Sequence, residues 1–435
     1  MLMNSLRKDD PEIYKTILDE ANRIEHGVEL IPSENFVSRS VMQAMSSVFT
    51  NKYSEGYPKK RYYGGQEHVD TMETIAINRA KELFGAEHVN VQPYSGSPAN
   101  QAVFFALLEL GDKFMGMDLS CGGHLTHGSP VNFSGKHYRL APYFVDEETE
   151  RLDMDVVRKI AVKEKPKMII SSLTAYPRRL PFKEFCEIAN DVDAYVLADI
   201  SHIAGLIVGG EHENPCSDVD VTTTTTHKSL RGPRGAIIMC KEEDRYHDLY
   251  HKDSKKNLAG LIDSAVFPGL QGGPHDHVIA AKAVAFKEAL QPEFNGYAKQ
   301  IVKNAKAMAE ELMSLGVKLV TDGTDNHLML IDLRASGLTG KGKQTQNALD
   351  HAGITVNKNS VPFDTASPFN PSGLRLGTPA VTTRGMKESE MQVIAQSIAL
   401  VLNDYKDKGV RAKVKEDIAE LVSGFPLYPG LTVLE

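Results

Sequence analysis

The stretch VTTTTTHKSLRGPRG, Val221–Gly235, predicts a buried strand that ends just before a lysine. Its five consecutive threonines, Thr222–Thr226, are β-branched residues of the kind that favours a strand. Lys228 follows closely, and a turn with glycine, proline and two arginines comes next. Burial at a strand end removes water from a lysine amine, so Lys228 is a candidate nucleophile able to form a Schiff base. The alternative is a surface lysine in a strand-end loop, where most lysines lie.

Short apolar strands and helices alternate on both sides of this stretch. The predicted strands are Val89–Gln92, Phe114–Asp118, Met168–Leu173, Tyr195–Ile200, Val219–Thr225 and Gly235–Cys240. The predicted helices among them are Pro98–Glu109, Met154–Glu164 and Phe182–Val192. This alternation predicts an α/β fold with a mostly parallel, doubly wound sheet, which binds ligands beyond the carboxyl ends of its strands. Lys228, Asp199 and the turn Ser95–Ser97 are all expected at that edge.

The pattern changes after Gly273. The elements predicted beyond it are helices at Asp276–Leu290 and Tyr297–Leu315, strands near Met329–Leu333 and Ile354–Asn357, and helices at Lys387–Asn403 and Val414–Ser423. We therefore predict a large domain over residues 81–290 and a smaller C-terminal α/β domain over residues 291–435. Residues 1–80 lack the alternation of strands and helices, so we expect a helical and loop segment that packs partly on a partner chain.

The composition excludes several classes of protein. The 435 residues carry a net charge of −8, which does not favour binding of the negatively charged nucleic-acid backbone. No apolar run reaches the roughly 18 residues that span a bilayer, and the charged N-terminus is unlike a signal peptide. The cysteines are scattered without a CxxC pair, as in a reducing compartment, and no metal site is expected. They are Cys121, Cys186, Cys216 and Cys240. We expect a cytoplasmic protein with no nucleic-acid or membrane partner.

The sequence ADISH places an aspartate and a histidine at the end of the predicted strand Tyr195–Ile200. An ionised Asp199 upstream of Lys228 suits a partner for a protonated pyridine nitrogen, because it would keep the ring cationic and make it an electron sink. The equally weighted alternative is that Asp199 caps the N-terminus of a helix, which is common at strand–helix turns.

Two glycine-containing turns are candidate phosphate contacts. PYSGSPAN, Pro93–Asn100, follows a strand and begins a helix, so its amides could hold a phosphate at the helix N-terminus. QGGP, Gln271–Pro274, provides two glycines just before another helix. Each signal is weak alone, since many strand–helix turns contain serine and glycine.

Three further motifs carry side chains typical of ligand sites. GGHLTHGS, Gly122–Ser129, contains two histidines, either structural or able to stack on an aromatic cofactor ring. NKYSEGYPKKRYYGG, Asn51–Gly65, contains four tyrosines and Glu55, a density that is unusual for a structural loop. SGLRLGTPA places Arg375 in an apolar run, where a buried arginine needs an anion. The two parallel N–H donors of its guanidinium fit a substrate carboxylate. The alternative is an internal salt bridge with a carboxylate of the same chain.

Five motifs closely resemble serine hydroxymethyltransferase, a fold-type-I pyridoxal-phosphate enzyme. They are TTTTTHKSLRGPRG, NKYSEGYPKKRYYGG, GGHLTHGSPVNFSG, FPGLQGGP and SGLRLGTPAVTTRG. The resemblance runs from LIPSENFVS, Leu30–Ser38, to the C-terminal helices. It implies an aminotransferase-like fold, with a mostly parallel seven-stranded sheet in the large, cofactor-binding domain and with residues 1–80 at a dimer interface. It also implies a homodimer or tetramer that reversibly converts L-serine and tetrahydrofolate to glycine and 5,10-methylenetetrahydrofolate in one-carbon metabolism.

The resemblance assigns roles to individual residues. Catalytic roles would fall to Lys228, Glu55, His227, Asp199, His124 and Tyr63. Pyridoxal 5'-phosphate, covalently bound to Lys228, would contact Ser95, Gly96, Ser97, His124, Thr174, Asp199, His202, Thr225, Gly272 and Gly273. The amino-acid substrate would contact Ser33, Tyr53, Glu55, Tyr63, His202 and Arg375. The folate would contact Leu119, Gly123, His124, Leu125, Asn359, Ser367, Pro368 and Phe369.

Some of these assignments have a specific chemistry. The resemblance implies that Asp199 faces the pyridine nitrogen, that His124 stacks on the ring and that Arg375 binds the substrate carboxylate. It implies that Glu55 manages the proton of the hydroxymethyl group. Glu55, with Tyr53 and Tyr63 beside it, and the glycine pair Gly272–Gly273 would belong to the site of the partner subunit.

Several positions depart from the common family pattern, and none removes a catalytic group. They are Pro98, Cys121, Thr174 and Phe363, together with extra residues within Glu242–Leu261 that we expect to form a surface insertion. Phe363 lies close to the folate segment, which leaves open whether the one-carbon carrier is tetrahydrofolate or a modified pterin.

Two other functions remain open at this point. A folate-independent aldolase for β-hydroxy amino acids would use the same Lys228 and Asp199, and the folate-side residues argue only weakly against it. A binding or regulatory protein on an enzyme fold is the other alternative. The negative net charge and the intact set of Lys228, Asp199 and Arg375 argue against that reading.

Overall fold

The computed structural model describes residues 2–428 and has an α/β fold. Its strands are β1 (Val28–Glu29), β2 (Gly56–Tyr57), β3 (Lys60–Arg61), β4 (His88–Asn90), β5 (Lys113–Met117), β6 (Arg139–Tyr143), β7 (Met168–Ser172), β8 (Tyr195–Asp199), β9 (Val221–Thr225), β10 (Ala236–Cys240), β11 (Leu328–Asp332), β12 (Ile354–Thr355), β13 (Asn357–Asn359) and β14 (Gly373–Gly377). Its α-helices are α1 (Leu2–Asp9), α2 (Pro11–His26), α3 (Arg39–Met45), α4 (Glu67–Phe84), α5 (Gly96–Leu107), α6 (Phe133–His137), α7 (Met154–Glu164), α8 (Phe182–Asn190), α9 (Ala204–Val208), α10 (His247–Tyr250), α11 (Leu258–Ser264), α12 (Asp276–Ala289), α13 (Pro292–Ser314), α14 (Gly342–His351), α15 (Pro379–Thr383), α16 (Glu388–Asn403) and α17 (Lys408–Ser423).

Within the described residues, seven strands form the main sheet, in the order β4-β10-β9-β8-β7-β5-β6. Strand β10 runs antiparallel to both β4 and β9, and the other neighbouring strands are parallel. The predicted mostly parallel sheet is therefore confirmed. Asp199, the last residue of β8, pairs in register with Thr223 of β9. The two strands thus bring Asp199 and the turn before Lys228 to the same edge of the sheet.

The threonine-rich strand β9 is buried over its whole length. Buried hydroxyl groups are tolerated only when they are hydrogen-bonded. Thr223 donates to Oδ1 of Asn100 at 2.7 Å, and Thr224 donates to the carbonyl of Thr225 at 2.9 Å. A polar but β-branched sequence can therefore form a central strand here, as the sequence predicted.

Strand β6, which was not predicted, forms one edge of the sheet beside β5. Its sequence RLAPY includes Pro142 and the exposed Arg139, so it lacks the apolar run of the central strands. A proline is tolerated in an edge strand because one side of its backbone makes no hydrogen bonds to a neighbouring strand.

Three helices begin earlier than predicted, and the first residues of each include a glycine or a proline, which are poor helix formers. α13 begins at Pro292, where a proline suits the first helical position. The side chain of Asp407 caps α17 by accepting hydrogen bonds from the amides of Gly409 and Val410. The first residue of α5 is Gly96, two residues before the predicted start.

Helices cover both faces of the main sheet. α4, α7, α8 and α12 pack on one face, and α5 and α11 pack on the other. A further apolar core surrounds the three-stranded sheet β11-β14-β13 and contains residues of α13, α14, α16 and α17. Helix α13 joins the two parts, because Ile301 packs in the core of the main sheet and Met308 packs in the further core.

The N-terminal segment packs partly on its own chain. Strand β1 pairs in parallel with β12, and α3 packs against α12. Val28 and Leu30 belong to the core around the three-stranded sheet. The domain boundaries drawn from the sequence stay predictions. No helix between residues 2 and 428 has the length and apolar character needed to cross a membrane.

The extra residues within Glu242–Leu261 are docked on the amino ends of the strands. The hydroxyl of Tyr195, at the start of β8, donates to Asp244 at 2.7 Å, and Nδ1 of His251 lies 2.8 Å from the same carboxylate. Arg245 forms an ion pair with Asp220 at 2.6 Å. The insertion therefore covers the edge of the sheet opposite Lys228.

A buried lysine ties the loop after β4 to the start of β10. Lys282 of α12 is 1% exposed. Its amine donates to the carbonyls of Val91 at 2.7 Å, Pro93 at 3.1 Å and Ala236 at 2.7 Å. Three acceptors match the three donors of an ammonium group, so this one side chain holds the loop that leads to the Ser95–Ser97 turn.

We predict that Lys282→Met lowers the free energy of unfolding by about 2–4 kcal/mol, because three buried carbonyls lose their donor. Urea unfolding followed by circular dichroism measures the change. Lys287→Met is the matched control, since Lys287 lies on the same helix with an exposed side chain. Equal stability of the two variants would show that the three carbonyls do not depend on the amine.

Candidate active site

A cavity of about 420 Å³ lies at the carboxyl ends of β8 and β9. It is lined by Ser33, Glu34, Ser95, Gly96, Ser97, His124, Leu173, Thr174, Asp199, Ser201, His202, Thr225, His227, Lys228, Arg234 and Arg375. Most of the residues predicted to hold the cofactor therefore meet in one place. A larger cleft, of about 920 Å³, lies between residues 149–155 and 179–184 and contains none of the predicted site residues.

Lys228 is buried, and the turn around it is fixed through its backbone. Its carbonyl accepts a hydrogen bond from Asn35 at 2.9 Å, and the next residue, Ser229, donates to the carbonyl of His202 at 2.8 Å. Burial lowers the pKa of Lys228 to about 7. The positive charge of Arg375 lowers this pKa further, whereas the negative charge of Asp199 opposes the shift. A large fraction of the amine is therefore neutral and nucleophilic near pH 7, so the surface alternative is wrong.

Asp199 is a buried carboxylate surrounded by hydrogen-bond donors. Oδ2 accepts from the amide of Asn100 at 2.8 Å and lies 3.4 Å from Nε2 of His127, and Oδ1 accepts from the backbone of Ser201 at 3.1 Å. Burial alone would raise the pKa of Asp199, but the hydrogen bonds from His127 and Asn100 and the neighbouring histidines hold it well below its ordinary value. The capping alternative is wrong, because the N-cap of α9 is Ile203.

The donors to Asp199 are themselves held by a chain of side chains. Asn100 donates to the hydroxyl of Thr126 at 2.8 Å, and that hydroxyl lies 2.8 Å from Nδ1 of His124. The backbone amide of His124 donates to Nδ1 of His127 at 3.1 Å, which leaves Nε2 of His127 to carry the hydrogen toward Asp199. Burial lowers the pKa of His124 to about 4, so this ring is neutral at the edge of the cavity.

The turn at the start of α5 lies against the end of β9. A Cβ atom on Gly96 would come within 2.8 Å of the methyl group of Thr225, so glycine is needed for this close approach. Ser95 is the N-cap of α5, and its side chain makes no capping hydrogen bond. The first amides of the helix therefore face the cavity as a ready anion site.

Arg234, which was not predicted as a site residue, adds a cation to this end of the cavity. The motif RGPRG contains two arginines with separate roles. Arg231 stacks on the ring of Tyr297 at 4.5 Å, whereas Arg234 lines the cavity beside His227. Burial, followed by the charge of Arg234, lowers the pKa of His227 to about 3.

Arg375 lies on β14 and is 8% exposed. Its Nη1 donates to the carbonyl of Thr174 at 2.7 Å, and its Nε donates to the side chain of Asn357 at 3.1 Å. Both partners are neutral, and among residues 2–428 no carboxylate forms an ion pair with it. The internal salt bridge is therefore wrong, and the guanidinium is available for a ligand carboxylate. Burial lowers the pKa of Arg375 to about 10, so the group stays charged at neutral pH.

The residues assigned to the partner's site lie together and are not part of the lining of their own chain's cavity. Tyr53, Glu55, Tyr63, Gly272 and Gly273 form this group, which we call the Glu55 cluster. The hydroxyl of Tyr53 donates to Glu55 at 3.1 Å, and the rings of Tyr53 and Tyr63 are 5.2 Å apart. A Cβ atom on Gly272 would lie 3.2 Å from the carboxylate of Glu55. The two tyrosines are about half exposed, at 54% and 50%.

Hydrogen bonds and an ion pair fix the loop that carries Glu55. Ser54 donates to the carboxylate of Asp276 at 2.7 Å, and Arg61 donates to the carbonyls of Ser54 and Gly56 at 2.9 Å each. Arg61 also forms an ion pair with the buried Glu73. These supports were not predicted, because the sequence does not show that Ser54 meets Asp276 or that Arg61 turns toward the loop.

The predicted folate residues divide into two groups. Leu119 and Leu125 are exposed in short turns on either side of Gly123, next to His124. The others are Asn359 on β13 and the segment Ser367–Phe369, whose Phe369 is 85% exposed. Of the predicted folate residues, His124 lines the cavity, and the rest lie outside its lining.

The arrangement combines a buried amine that is partly neutral near pH 7, an ionised buried carboxylate and a guanidinium that forms no ion pair within residues 2–428, all around one cavity. A comparison with protein-family models matches residues 6–398 to the serine hydroxymethyltransferase model. This match covers most of the 435 residues. The chain therefore belongs to the serine hydroxymethyltransferase family.

Proposed function

We propose that this protein transfers the hydroxymethyl carbon of L-serine to tetrahydrofolate, forming glycine and 5,10-methylenetetrahydrofolate, and that it also catalyses the reverse reaction. The family depends on pyridoxal phosphate and uses tetrahydrofolate. The observation that carries the proposal for this chain is the convergence of Lys228, Asp199 and Arg375 on one cavity. Each is buried, and each has the charge or the neutrality that this reaction requires.

The lining of the cavity fits pyridoxal phosphate. The amides around Gly96, with Thr225 and Arg234, suit its phosphate. Asp199 suits its ring nitrogen, and the amine of Lys228 suits its covalent attachment. When bound, the cofactor supplies an electron sink for the electron pair released when the Cα–Cβ bond of serine breaks.

The chain's own groups orient the substrate and handle its protons. Arg375 binds the carboxylate of serine through its two parallel N–H donors, with Ser33 nearby. The neutral amine of Lys228 can accept a proton near pH 7. We assign the proton of the serine β-hydroxyl to Glu55, with Tyr63 beside it. A bond held in a fixed orientation breaks faster because no orientational entropy is lost at the transition state.

The position of the Glu55 cluster supports a site shared between two subunits. Its glutamate and glycines are the residues that the family resemblance assigns to the neighbouring chain, and they lie together outside their own cavity. Half-exposed tyrosines beside a carboxylate are typical of a surface that a partner covers. We therefore propose a homodimer as the smallest active unit.

Folate binding is the part of the proposal that separates it from a simple aldolase. Leu119 and Leu125 are exposed apolar side chains in the turns on either side of Gly123, next to His124, which lines the cavity, and Phe369 is exposed on a separate segment. An exposed apolar surface beside a polar cavity suits the flat pterin ring of a second substrate. All four cysteines are free thiols, which supports the cytoplasm as the compartment we propose.

We predict that the purified protein with bound pyridoxal phosphate forms glycine from L-serine about tenfold faster or more with tetrahydrofolate than without it. The measurement is glycine release by mass spectrometry at saturating serine. Cleavage of L-allo-threonine, which needs no one-carbon acceptor, is the control for cofactor loading. Equal rates of serine cleavage with and without tetrahydrofolate would contradict the proposal and would favour a folate-independent aldolase.

The shared site predicts that two inactive variants restore each other. Mixing Lys228→Ala with Glu55→Gln places an intact Lys228 opposite an intact Glu55 in one site of each mixed dimer. Random exchange in a two-fold symmetric dimer then returns about one quarter of the wild-type activity. Lys228→Ala mixed with Asp199→Asn is the matched control, because both residues line the same chain's cavity and no intact site can form. Recovery in neither mixture, with subunit exchange shown by mass, would place Glu55 in its own chain's site.

A further inference from the structure

Two buried histidines meet beside the cavity, and the function described so far uses only one of them. His202 lines the cavity and is 2% exposed, and His327 lies behind it with no exposed surface. Nδ1 of His202 and Nε2 of His327 are 3.2 Å apart. Within residues 2–428 neither ring forms an ion pair with a carboxylate. His327 lies just before β11, and its carbonyl accepts a hydrogen bond from Thr378 at 3.0 Å.

Both rings are neutral at neutral pH. Burial lowers the pKa of His327 to about 3, and the charge of Lys228 acts in the same direction. Burial and Lys228 also hold the pKa of His202 well below its ordinary value. A neutral imidazole carries one N–H and one lone pair. A hydrogen bond between the rings therefore needs one facing nitrogen to donate and the other to accept.

The second nitrogen of His327 decides which ring donates. Nδ1 of His327 is buried and has no hydrogen-bond partner among the described residues. If His202 donated, His327 would carry its hydrogen on Nδ1, and a buried N–H would be left without an acceptor. Orphaned N–H groups are rare in native structures, and each costs about 1–3 kcal/mol. If His327 donates from Nε2 instead, its Nδ1 holds only a lone pair.

We propose that His327 is a positioning residue, which donates from Nε2 to Nδ1 of His202 and so makes His202 an Nε2–H donor toward the cavity. The group that such a donor recognises is an anionic oxygen on the bound cofactor or substrate. This inference rests on the proposed function for its role in catalysis. The pairing of the two rings is a property of the protein and can be measured separately.

The first test reads the tautomer directly. In full-length protein labelled with ¹⁵N at histidine, solid-state NMR separates protonated from unprotonated ring nitrogens. We expect His202, identified by loss of its signals in His202→Asn, to be protonated at Nε2 and unprotonated at Nδ1. A His202 that is protonated at Nδ1 in the wild-type protein would overturn the proposal, whatever the enzymatic activity.

The second test uses two variants of the positioning residue. Glutamine can place its amide N–H near the position of Nε2, so His327→Gln should keep the tautomer of His202, whereas His327→Leu should lose it. We expect kcat for serine cleavage to fall about tenfold in His327→Leu, the value of one lost hydrogen bond, and to recover in His327→Gln. His212→Leu is the control, because His212 is also buried and lies outside the cavity.

The outcomes separate this inference from the proposed function. Loss of the tautomer in His327→Leu together with an unchanged kcat would remove the catalytic role of His327. The predicted tautomer in a protein that does not cleave serine would leave the pairing intact and overturn the proposed function. If His327→Leu does not fold, the wild-type tautomer and the activity of His327→Gln still decide the proposal.

Discussion

The site depends on keeping one carboxylate ionised inside the protein. An unpaired buried carboxylate costs several kcal/mol and would take up a proton instead. Asp199 avoids this because an amide, an imidazole and a backbone N–H all donate to it. These donors come from α5, from the turn before α6 and from the second residue after β8. The positions of β8, β9 and α5 relative to one another are therefore constrained, because all of these donors must reach Asp199.

The balance of charge in the cavity follows from that carboxylate. Lys228, Arg234 and Arg375 all line the cavity, together with two carboxylates, the buried Asp199 and the exposed Glu34. Within residues 2–428 the hydrogen-bond partners of Arg375 are neutral groups, so its positive charge is available for an anion. The histidines around it add no further charge, because burial lowers the pKa of His124 to about 4 and that of His227 to about 3. A cofactor phosphate and a substrate carboxylate are the anions that this balance fits.

The parts of the structure that depend on local sequence were predictable. Strands β8 and β9 are marked by continuous apolar or β-branched runs, and the turn at Gly96 is marked by glycine between serines. The parts that depend on distant contacts were not. Asn100 and His327 act through partners on other elements, and a lone asparagine or histidine carries no sequence signal of such a role. Arg234 was missed for a different reason, since RGPRG does not tell which arginine faces inward.

The protonation state of Asp199 inside the folded protein can be measured directly. Infrared difference spectra of the protein, with Asp199→Asn subtracted, report whether this side chain is a carboxylate or a carboxylic acid. Glu29 is an internal control, because it is 5% exposed and burial, with the nearby Glu34, raises its pKa to about 8. At about pH 5.5, above the ordinary pKa of aspartate, we predict an acid band that Glu29→Gln removes and none that Asp199→Asn removes. An acid band at that pH that disappears in Asp199→Asn would contradict the account, because the donors around Asp199 would then fail to hold its charge.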